Sequence, residues 1–302
     1  MKDFSNSSRH FKPNQTVWIR NVEDILATLD SHDKLDGLPF IPEMIKFCGK
    51  SFRISRIANR TCVEGYGLRN MTGTVFLEDL RCDGANHDGC QRECLLFWKE
   101  DWLSSQPIIK NSQQTAKISQ DPYNQLTTKT GNRYYCQSTE LKCATSELPR
   151  GRFFKFIIDV LRGEMSVKNF FKLLIQAILN KLNFLIGADF IRQLRDNKMK
   201  TDSVDINLKR GEWVEVKNRK EIEKTLNHEG KNKGLLFDPV MLKFCEKRYK
   251  VAKNLDKIIL EESGQIKRIK NTVVLENVKC QTLGCPRANL LFWREIWLKR
   301  IN

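Results

Sequence analysis

The chain has no uncharged apolar run of the roughly 18 to 20 residues needed to span a bilayer. Its first ten residues, Met1–His10, contain no apolar core of the kind a secretory signal requires. The sequence also lacks a Gly-rich phosphate loop, a His-Glu-x-x-His pair and a Gly-x-Ser-x-Gly elbow. That removes the usual signatures of nucleotide binding, zinc proteolysis and α/β-hydrolase chemistry. Histidine is scarce, at four residues, and His10, His32 and His228 have no ligand-spaced partners, so they read as surface or turn residues. These absences make the cytosol the expected compartment, with the membrane surface as a second location. Ten cysteines in the cytosol stay mostly reduced, so metal ligation is a better reading of them than disulfides.

The fourth histidine stands among cysteines, in Cys82-Asp-Gly-Ala-Asn-His87-Asp-Gly-Cys90-Gln-Arg-Glu-Cys94. Three soft thiols and one imidazole at such close spacing are the residue content of a closed metal site, suited to Zn(II) or to an iron–sulfur cluster with one non-cysteine ligand. Gly84 and Gly89 let the backbone turn back on one ion, and Asp83 and Asp88 are candidate acceptors behind the ligands. Cys62, before the strand that leads into this loop, and Cys136, in Tyr134-Tyr-Cys-Gln-Ser-Thr-Glu140, are further candidate ligands. The candidate metal set is therefore Cys82, His87, Cys90, Cys94, Cys62 and Cys136. Cys48 and Cys245 end apolar segments and read as packed core thiols. Glu43 and Glu140 form an acid/base pair only if the segment carrying Glu140 folds onto the first unit.

The chain repeats itself. Gly37-Leu-Pro-Phe-Ile-Pro-Glu-Met-Ile-Lys-Phe-Cys48 returns as Gly234-Leu-Leu-Phe-Asp-Pro-Val-Met-Leu-Lys-Phe-Cys245, at an offset of 197 residues. Leu95-Leu-Phe-Trp-Lys-Glu-Asp-Trp-Leu103 returns as Leu290-Leu-Phe-Trp-Arg-Glu-Ile-Trp-Leu298. A period this long is a domain duplication. The cysteine loop returns degraded, as Cys280-Gln-Thr-Leu-Gly-Cys285-Pro-Arg-Ala-Asn289, in which Cys90 aligns with Cys285 and Cys94 with Asn289, while His87 and Cys62 have no counterparts. The scaffold therefore folds without a complete site. Phe97, Trp98 and Trp102 recur as Phe292, Trp293 and Trp297, which favours core packing over base stacking.

Each repeat reads as α+β: a strand at Thr16–Arg20 or Glu212–Val216, a helix at Val22–Leu29 or Arg219–Leu226, helical turns at Pro42–Phe47 or Pro239–Phe244, then strands. The expected architecture is two homologous small SH3-like β-barrel units joined by a helical segment. Its parts are a first repeat over 12–103, a polar linker over 104–150, a helical connector over 151–200 and a second repeat over 208–302. The connector contains a predicted helix at 164–194, apolar over most of its circumference, with Ser166 as N-cap.

Cys82-Asp-Gly-Ala-Asn-His87 resembles the Cys-Asp-Gly-Ser-His element of the CDGSH iron–sulfur proteins, with the His one residue further on and no Cys-x-Cys upstream. The Gly-Leu-Pro-Phe-Ile-Pro-Glu-Met and Arg-Cys-Asp-Gly-x-x-His-x-Gly-Cys-Gln patterns resemble uncharacterised bacterial proteins with a duplicated SH3-like unit and a Cys/His-rich loop. The first resemblance implies an iron–sulfur cluster; the second implies no activity.

The formal charge is +16, yet residues 1–110 are balanced and the remainder carries the whole excess. Three functions follow as expectations. The first is a non-enzymatic metal-binding accessory protein that meets a protein partner, or its own copy, through the 164–194 helix. The second is a metal-dependent redox enzyme. The third is binding of nucleic acid or an anionic membrane by the basic C-terminal part. No small-molecule substrate is predicted, and no reaction is visible.

Overall fold

Alternation sets the first strand of each repeat. In Thr16–Ile19 the buried side chains are Val17 and Ile19; in Trp213–Val216 they are Val214 and Val216. The computed structural model describes residues 11–108, 126–148, 201–280 and 285–301, together with Ile175. The first repeat contains β1 (Thr16–Ile19), α1 (Val22–Leu26), β2 (Lys34–Leu35), β3 (Leu38–Pro39), α2 (Pro42–Ile45), β4 (Ser51–Ile57), β5 (Arg60–Val63), β6 (Gly67–Asn70), β7 (Thr74–Arg81), β8 (Leu95–Lys99) and β9 (Leu103–Ser104). A short hairpin follows, β10 (Lys129–Thr130) with β11 (Arg133–Tyr134). The second repeat contains β12 (Trp213–Val216), α3 (Arg219–Glu223), β13 (Lys231–Asn232), β14 (Leu235–Leu236), β15 (Arg248–Asn254), β16 (Lys257–Ile259), β17 (Ile266–Arg268), β18 (Thr272–Lys279), β19 (Leu290–Arg294) and β20 (Leu298–Arg300).

Two antiparallel five-stranded sheets result, with orders β8-β7-β4-β1-β9 and β19-β18-β15-β12-β20. Both curl, and the sequence shows where. The β7–β8 and β18–β19 registers shift between Phe76 and Arg81 and between Val274 and Lys279. Within those spans Asp79 and Asn277 sit at φ +50° and +60°, a conformation that Asp and Asn tolerate better than most residues.

The expected α+β class is therefore corrected. The described chain is mostly β, its sheets are curled antiparallel half-barrels rather than the expected SH3-like barrels joined by a helix, and no helical segment joining the units is evident among the described residues. The predicted 164–194 helix lies outside them apart from Ile175. Where helices do occur they are shorter than expected. α1 and α3 stop at Leu26 and Glu223, and just beyond them Thr28 and Thr225 turn their hydroxyls onto the Ile25 and Ile222 carbonyls, at 2.6 and 2.7 Å.

Those same hydroxyls accept the indole N–H groups of Trp102 and Trp297, at 3.1 and 3.0 Å. Each indole also meets a phenylalanine edge-on, Phe40 at 5.4 Å and Phe237 at 5.1 Å. Trp98, Trp102, Trp293 and Trp297 are fully buried, so the duplicated aromatics are core residues. Cys48 and Cys245 pack at the margins of the two cores.

Two compact units emerge, and they do not follow chain order. The first comprises Met1–Leu148 with Lys257–Lys267 and Gly284–Asn289; the second comprises Pro149–Asp256, Arg268–Leu283 and Leu290–Asn302. The first unit thus includes most of the β16–β17 hairpin and the 284–289 loop of the second repeat. It also takes in 126–148, within the stretch expected to be a linker. The anchor there is Gln137, whose buried amide accepts from the Phe97 N–H at 2.8 Å and donates to the Phe97 and Pro39 carbonyls at 2.8 and 3.1 Å. Trp102→Ala should lower the unfolding free energy of the first unit by about 3 to 5 kcal/mol, read by circular dichroism in urea on the full chain.

Candidate metal centre

The loop between β7 and β8 closes on itself. Cys82 N–H donates to the Cys94 carbonyl at 2.9 Å, and the N–H groups of His87 and Gly89 both reach the Gly84 carbonyl at 2.9 Å. Gly84 has φ +70°, and a Cβ there would lie 2.2 Å from the Cys90 carbonyl oxygen, so no side chain fits. The two candidate acceptor carboxylates face elsewhere. Asp83 bonds Lys46 and the Ala85 N–H, and Asp88 lies 3.5 Å from Lys257.

Cys82, Cys90 and Cys94 from this loop line a small cavity of about 30 Å³, together with His87, Cys136, Ile41, Leu96 and Ile259. Cys136 arrives from the segment anchored by Gln137. Burial pushes the thiols of Cys82 and Cys90 up and that of Cys136 up to about 12, and the nearby Cys94 sulfur pushes each further. The four thiols are soft donors that line one cavity, but no three of their sulfurs lie within 4.8 Å of one another.

His87, only 1 % exposed, is held at both ring nitrogens. Nδ1 lies 2.6 Å from Glu43 Oε1, and Nε2 lies 2.6 Å from the Tyr135 carbonyl oxygen. A carbonyl only accepts, so the contact with Tyr135 is made by a protonated Nε2, while Nδ1 and Glu43 Oε1 share one short hydrogen bond. Burial opposes charge on the ring, but the hydrogen bond and charge of Glu43 outweigh it, and the pKa is raised. Among the described residues, Glu43, Cys82 and His87 are the one group of three potential ligands with donor atoms all within 4.8 Å of one another, so this buried group could hold a metal ion. Glu140 is not paired with Glu43; it bonds Lys34 and Arg133, each at 2.8 Å.

Cys62 does not line the cavity; it sits beside Cys285. A buried cation organises both places. Arg287 makes a two-pronged contact with Glu261, at 2.7 and 3.0 Å, and donates to the Cys62 carbonyl at 2.8 Å and to Ser138 Oγ at 3.0 Å. Ser138 in turn donates to Cys94 Sγ at 3.2 Å. The internal repeat makes these contacts reciprocal. Arg92, the counterpart of Arg287, donates at 3.0 Å to the carbonyl of Ile259, which lies 197 residues beyond Cys62, so the position has a structural equivalent though no second cysteine. Likewise Ile259 N–H donates to Cys90 Sγ at 3.3 Å, as Cys62 N–H does to Cys285 Sγ at 3.2 Å.

The loop spacing pointed to Cys82, His87, Cys90 and Cys94; all four line one cavity with Cys136, but of them only Cys82 and His87 fall in a group of three donors within ligand distance of one another, with Glu43. The sequence reading did not include Glu43, Arg287, Glu261 or Cys285 in the site. For Glu43 a signal existed, since Val240 stands in its place in the repeat that also lacks His87. No protein-family model, curated protein or solved structure matches the chain. No described helix is long and apolar enough to cross a membrane.

Burial opposes charge on Glu261, but Arg287 outweighs it and holds the carboxyl below its usual range. The pair's stabilisation is therefore complete above the usual Glu value and is lost as the pH falls below about 4 and through the depressed one. Glu261→Gln leaves a buried, uncompensated guanidinium and should cost about 3 to 5 kcal/mol at neutral pH. The gap to the parent protein should narrow on acidification, measured by urea unfolding across pH.

Proposed function

We propose that the first unit holds one zinc ion in a closed site of Cys82, Cys90, Cys94 and Cys136, and that the protein is a non-enzymatic, metal-stabilised accessory module. The observation that carries this is that four half-buried thiols line one cavity beside a histidine with both nitrogens already engaged, although their sulfurs must draw closer to share one ion. When bound, such an ion supplies a tetrahedral crosslink between loop and segment, and its four protein ligands leave no open position for substrate. His87 and Glu43 then act as the brace that fixes the loop against the Tyr135 backbone. Arg287, Arg92 and Arg81 lie near the sulfurs and offset the charge of four thiolates.

A second reading uses Cys82, His87 and Glu43 as the ligands, on the strength of their close donor atoms. It requires His87 to give up a proton and one hydrogen bond.

Elemental analysis of the full chain and its variants separates the two. The four-thiol site predicts one zinc per chain, lost from Cys90→Ser, Cys94→Ser and Cys136→Ser as purified, and still bound by the Glu43→Gln/His87→Gln double variant, which keeps all four ligands. Retention in the three cysteine variants with loss in the double variant would establish the second reading. A coloured, iron-containing protein would overturn both zinc assignments. Stripping the ion with a chelator should loosen the first unit, seen as a fall in its melting temperature.

A further inference from the structure

The cysteine that fell outside the cavity has a partner of its own. Cys62, on β5, donates its backbone N–H to Cys285 Sγ at 3.2 Å, and its thiol hydrogen-bonds the same sulfur. Both residues are half-buried. Arg287, two residues beyond Cys285, donates to the Cys62 carbonyl and places its guanidinium close to the pair. The repeat shows that the scaffold does not require this pair. The equivalent contact joins Cys90 to Ile259, so a second thiol stands only where Cys62 replaces isoleucine.

We infer that Cys62 and Cys285 are a redox-active dithiol that closes to an intramolecular disulfide by exchange with an external disulfide. The Cys285 thiolate attacks one sulfur of R–S–S–R′. That S–S bond breaks, R′–S⁻ leaves, and Cys285 carries a mixed disulfide with R. Cys62 gives its proton to solvent and attacks the Cys285 sulfur, expelling R–S⁻ and forming the Cys62–Cys285 bond. The two cysteines lose two electrons, and the external disulfide is reduced to two thiols. The role of Cys285 as attacking group agrees with its environment: the Cys62 thiol, backbone N–H groups and Arg287 bring its pKa down to about 6 against the opposing effect of burial. This inference does not rest on the metal assignment.

The test uses the full chain as purified, treated with oxidised glutathione at neutral pH, alkylated, digested without reductant and analysed by mass spectrometry. The expected product is a single linked peptide pair joining Cys62 and Cys285. In Cys62→Ser, glutathione should remain on Cys285. In Cys285→Ser, adduct formation on Cys62 should be about tenfold slower, the balance of a larger thiolate fraction against a lower nucleophilicity. The inference is overturned if no Cys62–Cys285 linkage forms, if either cysteine links instead to Cys82, Cys90, Cys94 or Cys136, or if the two single variants react at equal rates. It is equally overturned if zinc at a second equivalent per chain protects both thiols from alkylation. The linkage map of the unmutated protein decides the matter even if a variant fails to fold.

Discussion

The Arg287 guanidinium is the contact on which the arrangement of the cysteines around Ser138 and Cys62 depends. Buried with 4 % of its surface exposed, it holds Glu261 by two hydrogen bonds, caps the Cys62 carbonyl and positions Ser138, which touches Cys94. A charge so placed cannot lose its carboxylate partner cheaply, because an unpaired buried ion costs several kcal/mol. The pair therefore fixes the geometry of three chain segments at once. It also sets a positive charge between two groups of thiols, where developing thiolates need one.

Duplication explains how one scaffold came to hold two matching cysteines in different surroundings. The equivalent residues Arg92 and Arg287, and Cys90 and Cys285, make the same backbone contacts, so the fold provides two matching sulfur positions. At the first, Cys82, Cys94 and Cys136 line the same cavity as Cys90. At the second, Asn289 stands where Cys94 would be, and the sulfur meets a lone neighbour, Cys62. The Trp–Thr and Trp–Phe contacts are the same in both repeats, which is why the cores tolerate the divergence.

The repeat and its strands were legible because the burial alternation of Thr16–Ile19 and Trp213–Val216 and the Leu-Phe-Trp segments obey local rules. The short-range ligand candidates were legible from spacing. The class was misread where side chains override local propensity. Thr28 and Thr225 lie within helix-like stretches, but their hydroxyls serve the preceding turn and the buried indoles, so the helices end early. The 126–148 segment looked like a linker because it is polar. Its polarity is what packs it, since Gln137 supplies hydrogen bonds that the Phe97 backbone lacks at the edge of its sheet. No spacing rule connects Cys136 to Cys82 or Cys285 to Cys62, because those contacts depend on tertiary folding across many residues. The role of His87 was hidden for a related reason: its partner Glu43 sits 44 positions away and is betrayed only by Val240 in the other repeat.

The central claim is that four sulfurs, rather than sulfur with imidazole and carboxylate, surround one ion. X-ray absorption at the metal edge of the full chain as purified tests it most directly. The account predicts zinc with a shell of sulfur alone at about 2.3 Å. A shell containing nitrogen or oxygen at about 2.0 to 2.2 Å, or an iron edge, would contradict it.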